Sequence, residues 1–166
     1  MMARSAVYFT DENALGLGKL LGRAGRDDVV YPGHDELPDV PLGTPDLEWM
    51  PVVGQRRLIV VTRDRRIRSR PAELRAYWEH SIRSVWIGAK QDLGPRQQLE
   101  LFLQHEERLQ REITKRGPGP WALAMNSSGV RPMSLRERDT DHATPTRPPG
   151  GPPDLNASDS GGVGRA

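Results

Sequence analysis

Hydrophobic positions along this chain follow two alternating rhythms. Short continuous apolar runs occur at "AVYFT" (6–10), "DDVVYPG" (27–33), "RLIVVTRD" (57–64) and "SVWIG" (84–88). Their length and their β-branched and aromatic content predict strands. The run Leu58 to Val61 has no polar interruption, which suits a central strand buried on both faces. "PWALAM" (120–125) predicts a fifth strand, or equally an extended segment that lays Trp121 on the core.

Between these runs the period lengthens to that of a helix. In "NALGLGKLLGRAG", Leu15, Leu17, Leu20 and Leu21 share a face and Gly25 is a stop, although Gly16 and Gly18 are poor helix formers. "DLEWMPVVGQR" starts behind Thr44-Pro45, with Pro51 as a point of bending. "RPAELRAYWEHS" places Leu74, Tyr77 and Trp78 together. The longest helix is "DLGPRQQLELFLQHEERLQREITKRG", with a stripe of Leu99, Phe102, Leu103, Leu109 and Ile113. Residues 33–45, "GHDELPDVPLGTP", read as a long loop of the kind that often carries function.

Strands alternating with helices predict an α/β fold, a parallel sheet covered on both faces. From about Ser134 the sequence turns to Pro, Gly, Ser and Asp with no aromatic residue, so 134–166 reads as a disordered tail behind a folded domain of residues 1–133. The 166 residues suit one domain. With no cysteine, a disulfide framework, a thiolate metal site and a thiol nucleophile are excluded. No signal peptide and no run of 18 apolar residues is seen. The expectation is a cytoplasmic protein with no membrane partner.

Ligands of parallel sheets bind beyond the carboxyl ends of the strands. Asp11 and Glu12 follow the first strand, Asp64 follows the third, and Asp46 opens a helix. If the first and third strands are neighbours, these acids meet at one edge. Crowded carboxylates raise one another's pKa, a conflict that a divalent cation removes. An all-oxygen donor set suits Mg²⁺ or Mn²⁺. Blander readings stand beside this one. Asp46 is also a helix-dipole acid, Asp64 a turn residue paired to Arg, Asp92 an N-cap, and Glu12 a solvent-facing charge.

The net charge of +2 hides a local excess. From Arg56 to Lys90 there are ten basic residues and three acids. The stretch "TRDRRIRSR" brings Arg63, Arg65, Arg66 and Arg68 next to Asp64. Guanidinium forks suit phosphate oxygens, so an acidic metal site flanked by arginines points to RNA. A solvated charged face is the plainer alternative. There is no Gly-rich phosphate loop, since "GLGKLLG" fits neither dinucleotide nor P-loop spacing.

The segments "FTDENALGLGKLL", "VPLGTPDLEWMPVV", "LIVVTRDRRIR" and "KRGPGPWALAM" resemble the PIN-like domain family, in particular the toxin-type (VapC-like) members of bacterial toxin–antitoxin pairs. The resemblance runs from about Val7 to Met133. It implies a three-layer α/β/α sandwich and a Mg²⁺- or Mn²⁺-dependent endoribonuclease. It also implies a cognate antitoxin, and domains of this family often pair as a homodimer, although the sequence leaves the oligomeric state open. By motif, Asp11, Asp46 and Asp64 become the catalytic metal acids, with Glu12 and Asp92 as further metal candidates. Arg66 departs from the pattern, because a second acid often follows the T-x-D of relatives. Two other readings remain open. One is a catalytically silent RNA-binding protein of the same fold. The other is a receiver-like module, with Asp64 as phospho-acceptor, Asp11 and Glu12 beside it and Lys90 as the phosphate lysine.

Overall fold

The computed structural model describes residues 6–64, 66, 69–88 and 92–136. The strands are β1 (Tyr8–Thr10), β2 (Val29–Val30), β3 (Ile59–Thr62), β4 (Arg83–Ile87), β5 (Trp121–Asn126) and β6 (Gly129–Met133). The helices are α1 (Leu15–Arg23), α2 (Asp46–Gln55), α3 (Pro71–Glu79) and α4 (Pro95–Arg116). One sheet in the order β2-β1-β3-β4-β5-β6 contains all six strands. The first five run parallel, and β6 returns antiparallel on β5.

Apolar positions of the parallel strands are buried on both faces. Phe9, Leu58, Val60 and Trp86 pack with α2 and α3 residues Trp49, Met50, Val53, Leu74 and Tyr77. On the opposite face Tyr8, Ile59, Val61 and Val85 meet Leu17, Leu21, Phe102 and Leu109 of α1 and α4. The result is the expected α/β/α sandwich. Glycine 18 lets α1 come this close, because a Cβ there would lie 2.2 Å from Thr10 Oγ1.

Several expectations shift in detail. The antiparallel β6 was not foreseen. Pro132 lies within it, which an edge strand tolerates. In α3, Leu74 and Tyr77 are buried but Trp78 is half exposed, its indole N–H reaching Leu135 O at 3.4 Å. In α4 the inward stripe holds Gln98, Leu101, Phe102 and Leu109, while Leu103 faces solvent. Helix α2 runs on through Pro51 to Gln55. Leu135 is buried in the α2/α3-side core, so packing continues past Met133. The tail expected at 134–166 lies outside the described residues from 137 onward.

Helix ends set the connections. Three helices close with the chain in the left-handed region, followed by a bond from the next N–H to the last turn: Arg26 N to Leu21 O, Leu58 N to Val53 O and Ile82 N to Tyr77 O. After α1 the left-handed residue is Gly25, but after α2 and α3 it is Arg57 (φ 55°) and Ser81 (φ 52°).

Candidate active site at the β1/β3 junction

Strand order reverses between β1 and β3. From β1 the chain goes outward to β2, then crosses back to β3 and continues outward through β4 and β5. This is where open parallel sheets bind ligands. Thr10 pairs with Val61, so Asp11 stands level with Thr62 just beyond the paired residues.

Asp11 is buried, with 4% of its surface exposed. Its Oδ1 accepts the Ala14 N–H at 3.1 Å and opens the short 3₁₀ turn Glu12–Ala14. Its Oδ2 accepts the Thr62 hydroxyl at 2.5 Å. Burial pushes the Asp11 carboxyl up to about 7 and the charge of Asp46 adds to the rise, against the hydrogen bonds from Thr62 and Ala14. The Thr of T-x-D therefore ties the two acid-bearing strands, since its oxygen also accepts the Asp64 N–H at 3.0 Å.

Asp64 has a different environment. Its Oδ1 accepts the backbone N–H and Nε of Arg66, both at 3.0 Å, and its Oδ2 accepts Arg70 Nη1 at 3.3 Å. Burial raises its pKa, but the arginines outweigh burial and hold the carboxyl below its ordinary value. Asp46 opens α2 and accepts the Trp49 indole N–H at 3.0 Å. Its charge is felt at Asp11 and at Glu73.

Glu73 is the acid that sequence reading passed over. It lies in the first turn of α3, where Arg70 Nη1 donates to both of its oxygens at 3.2 and 3.3 Å. The same Nη1 reaches Asp64, so Arg70 bridges the two acids. Burial first, then Asp46 and Asp64, raise the Glu73 carboxyl. No motif marks Glu73; only the packing of α3 beside the junction brings it there. Beneath it the Tyr77 hydroxyl is buried without a hydrogen bond of normal geometry and feels Asp11 and Asp46.

A cleft of about 350 Å³ opens above, lined by Asn13, Arg63, Asp64, Arg66, Gly88 and Asp92. Asn13, also unforeseen as a site residue, interacts with Asp11 as well. Asp92 is fully exposed on the far wall and pairs with Arg63 at 3.1 Å. Glu12 turns away from the cleft and accepts the Gly43 N–H, pinning the 33–45 loop. Leu37 and Val40 anchor that loop in the core. Arg65, Arg68 and Lys90 lie outside the described residues.

A family model of the PIN-like domain matches residues 6–89. The chain belongs to the PIN-like domain family. The matched segment holds β1 to β4, with Asp11, Asp46, Asp64, Glu73 and the whole arginine-rich stretch. In this PIN-like chain β5 and β6 complete the sheet beyond the matched residues, and α4 packs on one of its faces. No curated protein and no solved structure matches the chain. The fold is of the nuclease type. Among the described residues no helix is long and apolar enough to cross a membrane.

A divalent cation fits the chemistry of this donor set, which is all carboxylate and includes an acid raised first by burial and further by the charge of Asp46. In their present positions no three such side chains among the described residues gather at one point. Asp64 is committed to Arg66 and Arg70 instead.

Proposed function

We propose that this PIN-like protein is a metal-dependent endoribonuclease whose working residues surround the β1/β3 junction. The observation that carries the reading is the buried Asp11, raised to about 7 beside Asp46 and bonded through Thr62 to the strand that delivers Asp64. Asp11, Asp46 and Asp64 would hold Mg²⁺ or Mn²⁺, and Glu73 is better placed than Glu12 or Asp92 to assist. The bound ion would supply a Lewis acid for a phosphoryl oxygen and a water of lowered pKa.

The chain's own groups divide the remaining work. Arg63 and Arg66 line the cleft and offer guanidinium donors to a phosphodiester. Thr62 holds Asp11 in its rotamer by donating its hydroxyl proton and fixes the turn to Asp64 by accepting that residue's N–H. Asn13 bridges from Asp11 to the cleft wall. Arg70 keeps Asp64 and Glu73 together without requiring either to be protonated.

Action as a toxin, with an antitoxin covering the cleft, is the finer form of this proposal. It rests on the sequence resemblance of the four motif segments. One observation favours a second reading. The engagement of Asp64 by two arginines suits a PIN-like protein that binds RNA without cutting it.

The test is cleavage of structured and single-stranded RNA by purified protein, free of any partner, with Mn²⁺ or Mg²⁺. Metal-dependent cleavage that disappears in Asp64→Asn supports the nuclease. RNA binding without cleavage, in protein that binds Mn²⁺, supports the silent reading.

A further inference from the structure

At the N-terminal edge of the sheet, far from the acids, a second cleft of about 410 Å³ is lined by Gly54, Arg57, Ser81, Arg83, Pro118 and Gly119. We propose that it is an oxyanion site, in which Arg57, Ser81 and Arg83 receive a phosphate group. It is separate from the junction site and does not depend on the nuclease reading.

Two departures from local rules meet in this cleft. The residue after a helix that turns left-handed is commonly glycine, because a Cβ is disfavoured there. Helix α1 obeys, with Gly25. Helices α2 and α3 place Arg57 and Ser81 at that position, at φ 55° and 52°. Both side chains line the same cavity. Strain that persists at two positions around one cavity marks a site whose side chains are retained for use.

The charge agrees. Neither Arg57 nor Arg83 has an acidic partner among the described residues. Arg83 donates instead to the Arg57 carbonyl, so the backbone of one arginine holds the guanidinium of the other. Burial and the nearby Arg57 charge both lower the Arg83 pKa, which an arriving anion would reverse. The floor is closely built. A Cβ on Gly54 would lie 2.5 Å from His80 O, and one on Gly119 would lie 2.3 Å from Ser81 O. Paired guanidinium forks and a hydroxyl suit tetrahedral phosphate oxygens.

The experiment is thermal unfolding of the full chain, with EDTA, in inorganic phosphate and in sodium chloride of equal ionic strength. Wild type and Arg57→Gly are compared, so that general salting effects of phosphate cancel. Wild type should gain about 4 °C at roughly tenfold excess over Kd. Arg57→Gly should unfold no lower than wild type without phosphate, because glycine suits the backbone, and should lose the phosphate-specific gain. Arg83→Gln, which removes the guanidinium charge and keeps a polar amide, should lose it too. Equal gains in wild type and both variants overturn the site, as does a wild type that gains no more than Arg57→Gly. A short ribo-oligomer then identifies the source. An Arg57-dependent gain from the oligomer assigns the site to the RNA backbone, and a gain from phosphate alone assigns it to a small phosphorylated molecule.

Discussion

The Thr62 hydroxyl donates to Asp11 at 2.5 Å and accepts the Asp64 N–H at 3.0 Å, so one side chain links the acids of two strands. Thr62→Val keeps the shape and removes both bonds. Asp11 then loses a hydrogen bond that lowers its pKa, and a buried acceptor goes unmet. We expect a loss of about 1–3 kcal/mol at neutral pH by denaturant unfolding, with Thr62→Ser recovering most of it.

Asp11 also sets a pH dependence. Its folded pKa, about 7, exceeds the ordinary 3.8. Between these values the folded state binds the extra proton, so stability is highest below about pH 4 on this account and falls as pH rises towards 7. The full swing is roughly 4 kcal/mol. Glu73, also raised, adds in the same direction. Asp64 acts oppositely: its pKa is lowered, so its contribution is present above its ordinary pKa and is lost as pH falls further. Urea unfolding from pH 3 to 8 should show Asp11→Asn flatter between 4 and 7, and more stable than wild type at pH 8.

The fold was legible because its parallel strands are short, fully apolar and regularly separated. The sequence left the adjacency of β1 and β3 as a condition for Asp11 and Asp64 to share an edge, and the pairing of Thr10 with Val61 meets it. Strand β6 was not legible, since "GVRPM" carries Arg131 and Pro132, both exposed, and shows no apolar alternation. On α4, Leu103 looked as apolar as Leu101, and only the contact with the sheet separates them. At the site, Asp11 and Asp64 announce themselves at strand ends. Glu73 does not, because a glutamate in a helix's first turn is ordinary and its meaning comes from Arg70 and the acids across from it.

Gly18 is a poor helix former by propensity, and its packing explains its place in α1. Gly18→Ala improves helix propensity but drives a methyl to 2.2 Å from Thr10 Oγ1 and 3.0 Å from the Tyr31 ring. We expect a net loss of about 1–3 kcal/mol in denaturant unfolding. At Gly22, where a Cβ meets nothing, Gly22→Ala should be neutral or stabilising.

Arg66 competes for Asp64 on the cleft side. Arg66→Ala removes the guanidinium from Asp64 Oδ1 and leaves only the backbone N–H there, so Mn²⁺ affinity measured calorimetrically should rise about three- to tenfold while RNA affinity falls. An unchanged Mn²⁺ affinity would mean that Asp64 takes no part in holding the ion.

The central claim is that the acids of the β1/β3 junction cut RNA with a divalent cation. The most direct measurement is single-turnover RNA cleavage in Mn²⁺ by wild type and Asp11→Asn, with folding checked by unfolding curves. Wild type should cleave, and the variant should lose at least about 100-fold while staying folded and being the more stable protein at pH 8. Cleavage at the same rate by both proteins would contradict the claim, because a nuclease that works without Asp11 does not use this junction.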